Sequence, residues 1–526
     1  MSDTTSDPDL PERLDQHAPD PSTSSRSRRA PLLVGAAVAV LAVLGAGAWG
    51  VVSFLSGGGP APATAIPSTA VAYVSIDLDP SASQKIEALK IAKKFPDLRK
   101  QLDLGNRDDL KRWIFDQIQK SDPCPSVSYD KDVRPWIGNR IGAAAVPEAG
   151  KLAPVVVVQV SDQDAARTGI EAMGNCDQGS GHLGIAFAGE YVVLSDTQAH
   201  ADAAANAAKA HPLSEDATYK LWTGAVGDPG IVTMYASPKA PKAMLDAEQN
   251  MAGGDVGGFS SELPLTNQFS GLSKAYAGFK GMAAVVRFHD GAVEMESAAG
   301  GMTPLGTSGS AADVTELPAS TGAAVAVGLP PRWGHHLVDR AKKTFGSNVD
   351  VDQMIAGLAR ETGLSVPDDV EKMLGSGVSV AMDGSADFSK PAPDTLPLGL
   401  RIVGDPSTVT PELDKLKVLL PPEVRLQTAS GSGAVAVGMN PTYLATLAKS
   451  GSLGTDPTFT SVVPHADEAS FVAYANFGAG GWLHRLVSQL SSDPKATADT
   501  APLKAFGFSV WTEGGTSHAL FRLTTN

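Results

Sequence analysis

The second half of this chain repeats the order of motifs found in the first, so whatever architecture forms once must form twice. Ile66–Val74 returns as Leu317–Val327, each a proline followed by an apolar strand. Each strand leads to an amphipathic helix. Ile86, Leu89, Ala92 and Phe95 mark its packed stripe in the first copy, where Pro96 stops it, and Trp333, Leu337, Ala341 and Phe345 mark it in the second. Pro135–Ala145 then corresponds to Lys372–Met382, and the strands Pro154–Val160 and Leu396–Val403 follow them. Those strands run into helix starts at Ser161–Asp164 and Asp405–Thr408, where Asp and Ser oxygens accept from free first-turn N–H groups.

The closest correspondence comes next. Tyr191–Asp196 matches Ala434–Met439, and Leu213–Tyr219 matches Leu453–Phe459. The strands Gly230–Tyr235 and Ala469–Tyr474 close these blocks. Each copy ends in a hairpin. Gly281–Phe288 turns at Asp290-Gly291 into Ala292–Ala298, and Phe506–Thr512 turns at Gly514-Gly515 into Ser517–Thr524. Asp-Gly and Gly-Gly supply the positive φ that a tight hairpin needs. The expectation is an α+β fold of two tandem repeats, 66–300 and 316–526, joined by a Gly/Ser-rich linker over 301–315. Consecutive strand pairs with short turns predict largely antiparallel sheets with helices on one face. Gly253–Leu265 is extra in the first copy and reads as a mobile loop.

Ahead of the repeats, Leu32–Leu55 holds no charged residue and is long enough to cross a bilayer as a single helix. Arg26, Arg28 and Arg29 precede it, and the next basic residue is Lys85. The positive-inside rule leaves residues 1–31 in the cytoplasm and sends the rest outside. The run exceeds an ordinary signal-peptide core, so it reads as a retained signal anchor, with the lipid bilayer as partner through residues 32–55. Residues 1–31 are too polar to pack and read as a disordered tail, and residues 56–65 as a flexible stalk.

The net charge of −15 argues against nucleic acid as a partner, because a phosphate backbone needs a basic surface. The two cysteines, Cys124 and Cys176, both fall in the exported part. An oxidising compartment and an even count predict a disulfide between them. Closing that loop stabilises by roughly 3–4 kcal/mol in the chain-entropy account.

Pro67–Pro80, Arg134–Gly138 and Leu213–Tyr219 together resemble an uncharacterised bacterial membrane-anchored family, domain of unknown function 3352. The resemblance implies an envelope-exposed protein with no established activity, so it brings no catalytic residues with it.

The chemistry-bearing motifs are sparse. No nucleophile elbow, phosphate loop or zinc-protease signature occurs. Ser128–Lys131 and Ser492–Lys495 fit S-x-x-K without companion motifs. His335-His336 is the only adjacent histidine pair; His336 with Asp339 is the best local metal offer, but the histidines read as a half-exposed structural pair. Asp77 with Asp79, and Asp350 with Asp352, read as turn carboxylates rather than calcium ligands, and Trp136 as core. No catalytic, cofactor-binding or metal residue is assigned. The reading is a non-catalytic binding or scaffolding protein of the bacterial cell envelope. An exported hydrolase with an unrecognised site is one alternative, and a carrier of an apolar ligand between the two repeats is another. An envelope protein or an apolar ligand is the expected partner.

Overall fold

The computed structural model describes residues 61–526 with breaks, the longer ones at 96–110, 121–123, 175–182, 252–277 and 303–308. The tail 1–31, the apolar run 32–55, the first half of the stalk, Cys176 and the Gly253–Leu265 insertion lie outside the described residues. Among the described residues no helix is long and apolar enough to cross a membrane.

The first repeat runs β1 (Ala72–Asp77), α1 (Ala82–Ala92), β2 (Ile137–Glu148), β3 (Lys151–Val160), α2 (Gln163–Gly174), β4 (Gly184–Ala188), β5 (Tyr191–Ser195), α3 (Gln198–Ala210), α4 (Ala217–Ala225), β6 (Val232–Ala236), α5 (Ala240–Met251), β7 (Gly281–His289) and β8 (Ala292–Gly300). The second runs β9 (Thr321–Gly328), α6 (Trp333–Phe345), α7 (Val351–Thr362), α8 (Asp368–Leu374), β10 (Gly377–Asp383), β11 (Leu398–Val403), α9 (Pro406–Val418), β12 (Gln427–Gly431), β13 (Ala434–Gly438), α10 (Pro441–Leu447), α11 (Pro457–Val462), β14 (Ala469–Asn476), α12 (Trp482–Leu490), α13 (Pro494–Thr500), β15 (Leu503–Glu513) and β16 (Thr516–Thr525).

All the strands among the described residues join one 16-stranded antiparallel sheet in the order β12-β13-β11-β10-β9-β14-β15-β16-β8-β7-β6-β1-β2-β3-β5-β4. Read from the middle outwards, the two halves have the same order, so a pseudo-two-fold axis passes between β16 and β8. Register fixes its position. The β8–β16 ladder runs from Gly300↔Thr516 to Ala292↔Thr524, with Glu296↔Leu520 at its centre. The two repeats are therefore fused edge to edge, and their seam is a paired ladder. An apolar ligand held between them would have to lie on a sheet face.

Helices cover both faces of the sheet, where one face was expected. On one face Ala88, Ile91 and Ala92 of α1, with Tyr129, Val133 and Trp136, pack on Ile76, Val156, Val232 and Val286. On the other, Ala201, Ala204 and Ala205 of α3 and Trp222 of α4 pack on Tyr73, Val155, Val157 and Tyr191. These are called the α1 face and the α4 face below. The strands state the reason: Val155–Val158 and Tyr191–Val193 are unbroken apolar runs, which bury both sides of a strand. The edge strands β4 and β12 were not read from the sequence; each pairs with a single neighbour, β4 with β5 and β12 with β13.

The repeats also begin earlier than expected. A 3-10 turn at Pro62–Thr64 buries Pro62 and Ala63, so half of the presumed stalk belongs to the core. Its counterpart, Ala312–Glu316, buries Val314 and likewise shortens the linker. The Leu213–Tyr219 and Leu453–Phe459 motifs have one shared function. In each, an Asp caps a helix, Asp216 accepting from Tyr219 N and Asp456 from Phe459 N. The aromatic ring so placed meets a strand tyrosine edge to face, Tyr219 with Tyr235 at 5.2 Å and Phe459 with Tyr474 at 5.0 Å.

Candidate functional site

The pseudo-symmetry makes each repeat a control for the other, and they differ on the α1 face. Cross-strand partners point to the same side of a sheet. Val74 pairs with Ala143 in the first repeat, and Val325 with Val380 at the same register in the second. Ala143 is 1% exposed, whereas Val325 is 44% and Val380 47% exposed. Leu398 and Met295, on the same face, are also exposed.

The cause lies in the helix that follows. Counting from the paired strands, α1 positions Ala88, Ile91 and Ala92 become Asp339, Lys342 and Lys343 in α6. Two ammonium groups and a carboxylate cannot be laid on valine and phenylalanine without desolvation costing several kcal/mol. Accordingly all three are exposed, and α6 turns its Gly334, His335, Val338 and Ala341 side inward. It packs on α8, so closely that a Cβ at Gly334 would lie 2.8 Å from Pro367. The expected stripe through Leu337 is therefore wrong: Leu337 is exposed, as is Ile86 at the equivalent point of α1.

What α6 leaves open is a floor of strand side chains. Following the register across β11, β10, β9, β14, β15, β16 and β8 gives Leu400, Val380, Val325, Ala473, Phe508, Phe521 and Met295 in one apolar row. Phe471 meets Phe508 and Phe506 meets Phe521 edge to face, at 5.9 and 5.3 Å, and all four rings are half-buried. At one end α12 closes the floor with Trp482 over Met382 and Ala386. At the other, α8 and α9 close it through Met373 and Leu413. The row carries no charge. The ionised groups of the central strands sit on the α4 face, where Arg287 pairs with Glu294 and Glu296, and Arg401 with Asp313 at 2.9 Å.

The residues singled out in the sequence are not brought together. His335 faces α8, its Nδ1 3.0 Å from Glu371 and its Nε2 3.4 Å from Asp368. Burial opposes ionisation of Glu371, but hydrogen bonds from the His335 ring and backbone N–H hold its carboxyl below the usual range. His336 and Asp339 are both exposed. Asp77 pairs with Arg140, Asp350 caps α7 through Gln353 N, and Asp352 pairs with Lys342. Among the described residues no three His, Cys, Asp or Glu side chains converge as a metal set. Trp136 is core, with Nε1 donating to Asp132 O. Among the described residues there is no free cysteine.

Residues 33–180 match the model of a protein family of unknown function, DUF3352. The chain carries a DUF3352 region. That region takes in two of the three motifs on which the resemblance rests, Pro67–Pro80 and Arg134–Gly138, while Leu213–Tyr219 lies beyond it. Apart from Met295 on β8, the open floor belongs to the second repeat, and all of it lies outside the DUF3352 match. No curated protein and no solved structure matches the chain.

Proposed function

We propose that this protein is a non-catalytic binding protein of the bacterial cell envelope, tethered by residues 32–55, and that the open α1 face of its second repeat is the binding surface. One observation carries the reading: the same sheet position is sealed by a helix in one repeat and left apolar and exposed in the other. Exposed apolar surface of this kind marks interaction sites. The occupant is an amphipathic helix of an envelope protein. The first repeat supports this, since its equivalent face is covered by a helix presenting Ala88, Ile91 and Ala92.

The test is a photo-crosslinking side chain at Val380 in the full-length protein in intact cells, with the same group at Ser461 as control. A discrete protein adduct at 380, absent at 461 and lost on Phe508→Asp, is the expected outcome. An adduct of lipid mass would replace the protein partner with an apolar ligand. No adduct at 380 would remove the binding surface altogether.

A further inference from the structure

We propose that the corner made by the Pro62–Thr64 turn, the Leu213–Glu215 turn and helix α4 rests on the lipid bilayer, with Leu221 entering the headgroup region. The proposal builds on the tether reading. Six residues, 56–61, separate Leu55 from Pro62. Fully extended they reach about 20 Å, against a sheet about 70 Å wide. The far end of that reach is fixed in the protein: Pro62 and Ala63 are buried, and Ile66 O accepts from Leu213 N at 2.7 Å. The chain thus leaves the body beside the 213–215 turn, which runs directly into α4. A bilayer holding Leu55 is within reach of this corner.

The outer side of α4 fits that neighbour. Trp222 and Tyr219 face inward, while Leu221 stands 62% exposed beside an exposed Lys220. The second repeat shows that the fold does not demand a leucine there. Counting from the shared Leu and Asp of the two motifs, Lys220 and Leu221 become Thr460 and Ser461 in α11. Those two hydroxyls simply donate back to carbonyls of their own helix. A protruding leucine next to a lysine, found only in the copy nearest the tether, suits an interface where the apolar tip enters lipid and the ammonium meets anionic headgroups. In this orientation the α4 face of the first repeat looks toward the membrane and the open floor of the second lies on the opposite face of the sheet.

The experiment places a polarity-sensitive fluorophore on Leu221→Cys, and separately on Ser461→Cys, in full-length protein in vesicles containing phosphatidylglycerol, with the parent protein setting the labelling background. Lipid-borne nitroxide quenchers are then added. The expected result is a blue shift and loss of most emission at 221 with neither at 461. An unquenched probe at 221 overturns the proposal. A third probe at Ala42→Cys separates the causes: quenched, it keeps the tether while only the corner contact fails, and unquenched, it shows the tether failing too.

Discussion

If the second repeat's floor is open, an aspartate at Val380 must cost far less than one at its first-repeat counterpart, Ala143. The two positions occupy the same register beside Val325 and Val74. Ala143 is 1% exposed, so an ionised carboxylate there has neither water nor a partner, and the expected destabilisation is about 4 kcal/mol or more. Val380 is 47% exposed, so Val380→Asp gives up about half the burial of a valine, about 1 kcal/mol. Poorer strand preference adds up to about 1 kcal/mol. The two variants should therefore differ by at least about 2 kcal/mol, well above the scatter of such measurements. Urea unfolding followed by tryptophan fluorescence reads this directly, with Val325→Asp grouping with Val380→Asp. Equal losses at 143 and 380 would refute the reasoning, because they would mean that something in the same chain covers the floor.

Three further outcomes follow from the same geometry. A Cys124–Cys176 bond predicts that thiol alkylation of the oxidised, denatured protein adds nothing to its mass, and that reduction adds two labels; two labels without reduction would exclude the bond. Because the Glu371 carboxyl is held below its unfolded value, its contribution is present above about pH 4.5 and is lost as pH falls through the folded value. Glu371→Gln should remove that part of the acid destabilisation in a pH series of unfolding midpoints. Phe459 is fully buried against Tyr474, so Phe459→Ala should cost about 3–5 kcal/mol, while Tyr219→Ala, at a half-buried site, should cost less by the same urea assay.

Much of the fold was legible because the duplication repeats local instructions. The hairpins form at Asp290-Gly291 and Gly514-Gly515, where φ values of 49°, 73°, 56° and 83° fall as the turn residues require. The helix starts at Asp162 and Asp405 are capped as read, with Asp162 accepting from Ala165 N and Asp405 from Ser407 N. The number of covered faces was missed, although Val155–Val158 advertises a strand buried on both sides. The packed stripe of α6 was missed for a different reason. Leu337 has helical spacing from Trp333, but which side of a helix meets the sheet is settled by every residue on it, and Asp339, Lys342 and Lys343 exclude the side that α1 uses. That substitution pattern was visible on laying the two helices side by side, and with it the open floor. The corner at Leu221 was not visible, because only the folded chain shows that residue 62 is anchored next to residue 213.

The ladder between β8 and β16, centred on Glu296 and Leu520, is the arrangement that two identical half-length chains would adopt by pairing equivalent edges. In such a pair every change is made twice, so uncovering one sheet face would uncover both and leave two sticky surfaces on one particle. Joining the halves into a single polypeptide removes that obligation. One copy can keep its helix seated and hold the shared sheet together while the other copy is free to vary. The lone exposed floor is a kind of surface that only the fused chain can evolve.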